Sequence, residues 1–371
     1  KSFILSYLIL KNLLFLNPYL LSKLVINHIV LLISLAICIV LSISLGSVSI
    51  PNEEIFKSLT RLTFKNSTWD YIIIHYRLPK TITAILIGSG LALSGLLMQT
   101  LFRNPLAGPY VLGLSSGASL GVALLTMGAG IFTGFLGDLF FSNWAIIIAA
   151  SSGSLLVMLA VLSTSYKVKD TMTLLIIGLM VASLTSAVVS VLAYFSTSED
   201  LQLYTFWSFG SLGDLSWQEV GLLAFFWFLG TSIAIVCLKN LNALLLGESY
   251  AESVGVNIKA NRRLIIISTC ILAGSATAFA GPIAFVGLAV PHLVRQIIPS
   301  KNHRVLLPSV LICGALLMLV CDMIAQLDGR QLERHLVLLV GVEDDQVVGA
   351  VRLLEELPAA DVVDVQVRGL L

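Results

Sequence analysis

The sequence predicts an all-α polytopic membrane protein with about nine recognisable transmembrane helices. Of its 371 residues, 57% are hydrophobic and only 12% are charged, whereas soluble domains carry roughly 25% charged residues. Eight intervals contain no Asp, Glu, Lys or Arg, and a membrane-spanning helix needs about 20 apolar residues. Hydrophobicity in these intervals is continuous rather than alternating, which favours helices over the strands of a barrel. The net charge of +1 gives no indication of nucleic-acid binding.

The eight charge-free intervals place the helices along the chain. In order they are 24–52, 81–102, 104–137, 139–166, 171–198, 220–238, 264–294 and 305–321. The interval 264–294 is too long for one ordinary helix, and Gly281-Pro282 is a natural break within it. We therefore expect two closely spaced helices there.

Basic residues predict the orientation, because Lys and Arg are enriched in cytoplasmic loops. With the N-terminus inside and alternating spans, the inside segments before residue 325 carry thirteen Lys and Arg, and the outside segments carry five. Both flanks of the interval 264–294 are basic, which again favours two spans there rather than one. The sequence thus predicts a multi-pass protein with its N-terminus in the cytoplasm.

Composition divides the chain into three regions. Residues 1–24 are apolar but interrupted by lysines and a proline, and we expect an interfacial segment. Residues 25–327 are expected to form the transmembrane domain. Residues 328–371 are expected to form a divergent, soluble-looking tail, because residues 329–371 contain no Ile, Lys, Phe or Trp but ten Val.

The tail is too polar to supply another span. Its longest apolar run, Leu336 to Val342, is too short to cross a bilayer and predicts a strand. A helix over Asp345–Leu357 and a strand over Val362–Val367 are expected to follow. A fused or frame-shifted C-terminus is the alternative to an ordinary cytoplasmic tail.

The loop 239–263 is the longest one predicted on the cytoplasmic side. The spacing of Leu245, Ala251 and Val254 is typical of a helix. Gly247 and Gly255 can provide the turns at its two ends. We therefore expect a short helix lying along the inner membrane surface, where it could transmit a push from a soluble protein.

Small residues predict close helix packing elsewhere. Gly113, Gly117 and Gly121 recur every fourth residue within an apolar interval, a spacing that lets helix backbones approach closely. The nucleotide-binding pattern GxxxxGK[ST] is absent, so the chain is not expected to hydrolyse ATP itself. No metal site, cofactor or catalytic constellation is expected, since the five cysteines all lie in apolar runs without ligand-type spacing.

Asp322 is the one clear candidate for an ionisable group inside a span. Intramembrane carboxylates usually mark proton or ion pathways. A single carboxylate is thin support for a transporter driven by an ion gradient, although such a secondary transporter stays open as an alternative.

Several segments resemble, in order and spacing, the permease subunits of type II ABC importers for siderophores, haem and cobalamin, the FecCD/BtuC-like family. The resemblance covers roughly residues 25–327. The matching segments are 77–80 (RLPK), 94–121, 196–217, 244–256, 281–295 (GPIAFVGLAVPHLVR) and 303–308 (HRVLLP).

The resemblance implies the type II ABC importer permease fold, which has ten helices per subunit, in the cytoplasmic (inner) membrane. It implies ATP-driven import of an iron–siderophore or a similar metal chelate, with cobalamin or haem as the alternatives. The implied partners are a second permease copy or a paralogue, two cytoplasmic ABC ATPase subunits that bind ATP and Mg²⁺, and an extracytoplasmic substrate-binding protein.

The resemblance also implies roles for particular residues. The ATPase-coupling loop corresponds to Leu246, Gly247, Glu248, Ala251, Glu252 and Gly255. Docking of the binding protein corresponds to Arg77 and Lys80, the second of which is usually Arg in the family. The cytoplasmic gate corresponds to Asp170 and Thr171.

The family's last helix follows a Glu-Leu-Pro-x-Gly pattern, which Glu356-Leu357-Pro358 matches weakly and too far downstream. A non-functional chimeric or truncated permease is therefore a further alternative.

Overall fold

A computed structural model describes residues 18–46, 48, 50–51, 55, 68–128, 143–167, 171–298 and 300–340. All regular secondary structure in these residues is helical. The α-helices are α1 (Pro18–Ser44), α2 (Thr68–Ile72), α3 (Leu78–Phe102), α4 (Leu114–Thr126), α5 (Asn143–Lys167), α6 (Thr171–Phe195), α7 (Ser198–Phe209), α8 (Trp217–Val236), α9 (Leu238–Leu244), α10 (Glu248–Ser253), α11 (Ile258–Ala280), α12 (Val286–Ile297) and α13 (His303–Val340). A π-helical turn, Ile73–Arg77, joins α2 to α3, and a 3₁₀ turn, Pro109–Leu112, precedes α4.

The expected helices are present in this described part of the chain. Each of the eight charge-free intervals contains a helix, and 264–294 contains parts of two, α11 and α12. The chain breaks after α11 at Gly281, whose φ of 75° few other residues adopt. Seven of the described helices are long and apolar enough to cross a membrane. The prediction of an all-α polytopic membrane protein is confirmed.

Polar caps explain where three helices begin. Thr197 accepts a hydrogen bond from the Asp200 amide and starts α7. Ser216 and Glu219 form a reciprocal capping box at the start of α8. Asn257 accepts from the Ala260 amide at the start of α11. Each cap satisfies a backbone N–H that has no partner within the first helical turn.

The described residues fall into two compact units, one within 18–40 and 79–320 and the other within 41–78 and 321–340. At the centre of the larger unit lies α3, which buries 20 of its 25 residues. Glycine pairs bring its backbone against two later helices, at Gly88 with Gly314 and at Gly95 with Gly287. A Cβ on Gly88 would lie 2.6 Å from that of Met318. These helices therefore pack backbone to backbone, without intervening side chains.

The tail begins differently from what its composition predicts. Helix α13 runs without a break from His303 to Val340, so the strand predicted from Leu336 is wrong as far as Val340. A continuing helix satisfies its own backbone groups, whereas an isolated strand needs a partner strand. The elements predicted over 345–357 and 362–367 lie outside the described residues.

Candidate functional site

The segment from α9 to α11 carries the predicted coupling loop. Gly247 precedes α10 with a φ of 119°, and Gly255 follows it with a φ of 87°. Only glycine adopts such angles without steric cost, so the two residues set where this short helix begins and ends. The Gly255 amide donates to Glu252 O at 3.0 Å, and the Val256 amide donates to Ala251 O at 2.9 Å. The predicted short helix is present.

One face of α10 is anchored and the other is open. Ala251 is fully buried against the larger unit. Four large apolar side chains around it are about half exposed or more, and together they form what we call the coupling patch. They are Leu245, Leu246, Tyr250 and Val254, at 45%, 67%, 48% and 56% exposure. An apolar patch on a short, well-defined helix is the kind of surface that fits into a groove on another protein.

An ion pair anchors the start of α10. Glu248 Oε1 lies 3.5 Å from Arg262 Nη2 in α11, and the Arg262 side chain is only 6% exposed while that of Glu248 is 39% exposed. A buried guanidinium needs a nearby negative charge. Glu248 therefore positions α10, and does more than solvate an exposed face. By contrast, Glu252 is exposed.

The turn after α3 lies beside this loop. Arg103 has a left-handed φ of 49°, and its guanidinium lies about 4 Å from where a Cβ on Gly247 would stand. The turn is closed by the Leu106 amide, which donates to Asn104 Oδ1 at 2.9 Å. The loop and the end of α3 are thus neighbours within the larger unit.

A group of polar side chains lies at the same end of the larger unit, and sequence analysis gave it no role. We call it the polar cluster, and its members come from α3, α9, α12 and α13. They are Gln99, Thr100, Asn242, Arg295 and His303. Burial lowers the pKa of the Arg295 guanidinium from its ordinary value. Four of its five members lie in segments that carry the family resemblance, and this is the one sequence signal that indicates such a cluster; Asn242 lies just before such a segment.

Arg77, which the resemblance assigns to docking, is buried among backbone carbonyls. Its side chain is 7% exposed and donates hydrogen bonds to the carbonyls of Ile43 at 2.8 Å, Ser44 at 3.0 Å and Val48. These carbonyls belong to the end of α1 and the turn after it, where helical partners are lacking. A Cβ on Gly46 would lie 2.7 Å from the guanidinium. Arg77 therefore caps α1 from inside the smaller unit, and its role in docking stays a prediction.

The remaining predicted positions fall in different places. Lys80 is partly exposed, and its aliphatic chain passes about 4 Å from where a Cβ on Gly213 would lie. Thr171 is the first residue of α6, and its side chain lies outside the described residues, as does Asp170 altogether.

The three regularly spaced glycines contact two different helices. Gly117 and Gly121 lie in α4 and face the backbone of α5 at Gly153 and Ala149. Gly113 precedes the helix as its N-cap, with a φ of 77°, and a Cβ on it would lie 3.2 Å from Gly178 O in α6. A periodicity of four residues does not show that the first glycine faces a different helix from the other two.

Enlarging Gly117 tests the contact between α4 and α5. A Cβ there would lie 2.6 Å from Val157 Cγ2 and 2.7 Å from Gly153 O. We expect Gly117→Ala to cost about 1–3 kcal/mol through overpacking, seen as a lower melting temperature in detergent. The control is Gly221→Ala in α8, where nothing lies within 4 Å. Equal melting temperatures for the two variants would contradict the packing role.

Comparison with known proteins identifies the class to which these helices belong. A family model described as the FecCD transport family matches residues 34–342. The chain belongs to the FecCD transport family. The matched range extends beyond residue 328, where composition had placed the start of a divergent tail.

Two relatives of known name and one solved structure give the same picture. The vitamin B12 import system permease protein BtuC of Klebsiella pneumoniae subsp. pneumoniae is 37% identical over 254 residues, which are 68% of this chain and 73% of that protein. The protein of the same name from Salmonella typhi is 37% identical over 253 residues, 68% of this chain and 74% of its own length. The solved structure, described as a metal-chelate type ABC transporter in an inward-facing conformation, has a TM-score of 0.69 and 31% identity. It covers 80% of this chain and 89% of its own.

These findings establish the general function. The chain is a multi-pass transmembrane permease of an ABC importer, and the family acts in transport rather than as an enzyme. An ABC importer permease is preferred over the ion-driven secondary transporter left open by Asp322. Within α13, Asp322 is buried and accepts a hydrogen bond from Gln326 Nε2 at 2.6 Å.

Proposed function

We propose that this chain is the permease of an ATP-driven importer that moves a bulky metal chelate across the cytoplasmic membrane. It acts as a dimer or beside a paralogue, with two ATPase subunits inside and a substrate-binding protein outside. The observation that carries this proposal is α10, a short helix fixed by Gly247 and Gly255 that exposes the coupling patch in a chain of the FecCD transport family.

The coupling patch is the contact for the ATPase in this proposal. Its aliphatic and aromatic side chains are those that anchor protein interfaces, while Ala251 and the Glu248–Arg262 pair fix α10 to the larger unit. Closure of two ATPase subunits on ATP would push α10, and rigid-body movement of packed helices would follow. In this proposal the loop and the N-terminus both lie on the cytoplasmic side.

Two further surfaces complete the proposal. Lys80 provides a single positive charge for an acidic contact on the binding protein, without the bidentate geometry of arginine. Asp170 and Thr171, at the short connection between α5 and α6, form the cytoplasmic gate.

Helix α6 provides a large apolar surface. Only 17% of its most apolar stretch is buried within the described residues, so the rest of that stretch is available to lipid or to a second permease.

The substrate class is a metal chelate, and the named relatives support cobalamin in particular because both are vitamin B12 permeases. The family description and the solved metal-chelate transporter keep an iron–siderophore as the second candidate. Haem is a third member of the same class.

Transport in proteoliposomes tests the proposal. The chain is reconstituted with its ATPase and binding protein, and uptake of radiolabelled cyanocobalamin, a ferric siderophore and haem is compared. We expect uptake of one of the three to require ATP on the side of the membrane that carries the ATPase, and to persist when a protonophore is added. Uptake driven by a proton gradient without ATP would contradict the proposal, and preference for the ferric siderophore would exclude cobalamin as the main substrate.

A further inference from the structure

The polar cluster brings together three segments that carry the family resemblance. Gln99 and Thr100 come from 94–121, Arg295 from 281–295 and His303 from 303–308. The fourth element is α9, which contributes Asn242 and ends just before α10. Gln99, Thr100 and His303 are 3%, 4% and 1% exposed. Because polar side chains are costly to bury, their hydrogen bonds need a complete account.

His303 is held on both sides of its ring. Asn242 Oδ1 lies 2.9 Å from the His303 backbone N and 2.9 Å from its ring Nδ1. A backbone amide can only donate, so the Asn242 oxygen accepts there and Nδ1 carries the proton. Ring Nε2 lies 2.8 Å from Thr100 Oγ1, and the same hydroxyl lies 2.8 Å from Leu96 O, so its single proton is shared between these two acceptors. His303 thus connects α9 to α3.

Gln99 extends the connection to α12. Its Nε2 donates to Leu288 O at 3.1 Å, and its Oε1 accepts from Arg295 Nη1 at 2.6 Å. Gln99 and Thr100 are adjacent in α3, so a movement that shifts one shifts the other. The hydrogen bonds therefore run from α9, through the start of α13 and the end of α3, to α12.

Asn242 links this set of hydrogen bonds to the segment that carries α10. It lies five residues before Gly247, and its Nδ2 also donates to Asn302 Oδ1 at 2.9 Å. Any displacement of α10 that moves α9 must either carry His303 with it or break hydrogen bonds at a buried site. Breaking them leaves polar groups without partners, which costs more than the bonds themselves contribute.

We propose that Asn242 and His303 are positioning residues that transmit displacement of α10 to α3 and α12. This inference rests on the proposed contact between the coupling patch and the ATPase. It assigns the HRVLLP segment a role in transmitting movement. We call His303, with its contacts to Asn242 and Thr100, the joint between the loop and the transmembrane helices. In this mechanism the packed helices α3, α12 and α13 have two arrangements, and displacement of α10 shifts the equilibrium between them.

Two substitutions at one position separate the two sides of the joint. In His303→Asn the amide nitrogen replaces Nδ1, which keeps the contact with Asn242 and loses the one with Thr100. In His303→Gln the amide nitrogen replaces Nε2 and donates to Thr100 Oγ1, whose own proton then goes to Leu96 O, while the contact with Asn242 is lost. Thr100→Val keeps the side-chain shape and removes the hydroxyl. All three substitutions interrupt the hydrogen-bonded connection while keeping a side chain of similar shape in the buried position.

The test uses the full chain with its ATPase in lipid nanodiscs, and hydrogen exchange measured by mass spectrometry with and without ATP plus vanadate. In the wild type we expect changes in exchange both at 246–256 and across α12. In the His303 and Thr100 variants we expect the change at 246–256 to remain and the change across α12 to fall about tenfold, within the usual range for coupling between sites. Transport per ATP hydrolysed should fall with it.

The matched control is Asn240→Ala compared with Asn242→Ala. Asn240 lies on the same helix but donates to Asn261 Oδ1 in α11 at 3.1 Å, away from the joint. We expect only Asn242→Ala to lose the α12 response. An unchanged α12 response in the His303 and Thr100 variants, or an equal loss in Asn240→Ala, would overturn the inference. If 246–256 does not respond to the ATPase in the wild type, the proposed function fails instead.

Discussion

Replacing Glu248 by arginine should separate the ATPase from the permease while leaving the transmembrane helices folded. The wild-type side chain lies 3.5 Å from the nearly buried Arg262, so Glu248→Arg replaces an attraction with a repulsion between two cations. Leaving a buried charge without its partner costs about 3–5 kcal/mol, and rotating α10 away from α11 relieves that cost. The coupling patch would then no longer present its apolar side chains in one orientation.

The measurement is co-purification of the ATPase with tagged permease, followed by ATP-dependent transport. We expect the affinity for the ATPase to fall about 100-fold, which corresponds to about 2.7 kcal/mol, and transport to be lost. Glu252→Arg is the matched control, because it introduces the same charge on the same helix at an exposed position. It should change affinity by less than about tenfold. Normal co-purification and transport in Glu248→Arg would remove α10 from the mechanism.

The second large effect is expected from Arg77→Leu. The guanidinium donates to three backbone carbonyls at the end of α1 and in the turn after it, through one buried and two partly buried hydrogen bonds, and leucine removes all three. An unsatisfied buried group costs about 1–3 kcal/mol and a partly exposed one less, so we expect a total of about 3–5 kcal/mol, a large fraction of a protein's stability. The melting temperature of the purified permease should fall sharply and its yield from membranes should drop.

Lys80→Leu separates this structural role from docking. Lys80 is partly exposed, so its loss should leave the melting temperature unchanged and slow association with the binding protein, most clearly at low salt. If Arg77→Leu is as stable as the wild type and binds its partner more weakly, then Arg77 is a docking residue and the capping role is wrong.

Local signals were sufficient to predict the helices, including the short helix α10 within residues 239–263. The break between α11 and α12 follows from Gly281-Pro282 and two basic flanks, and α10 follows from two glycines and the apolar spacing between them. Each of these predictions depends on neighbours within about ten residues, where steric and capping rules act directly.

Contacts between distant segments could not be predicted in the same way. Arg77 at the end of an apolar run indicates an interface with water, and nothing near it in sequence shows that α1 ends beside its guanidinium. Gln99 and His303 are ordinary polar residues near span ends until α3 and α13 are brought together. Composition also misled at residue 336, because an apolar run of seven residues fits a strand or a helix equally well.

The burial of α3 has a consequence for how the protein is made. Its glycines meet Gly287 and Gly314, which leave the ribosome roughly 200 residues later, or about 10–40 s at usual rates of synthesis. During that interval the Gln99 amide lacks Leu288 and Arg295, its hydrogen-bond partners in the folded protein, whereas the Ser89 and Ser94 hydroxyls already have acceptors within α3. Assembly of this permease therefore has to wait for its last helices, and a nascent chain interrupted before α12 leaves its central helix uncovered and open to quality-control proteases.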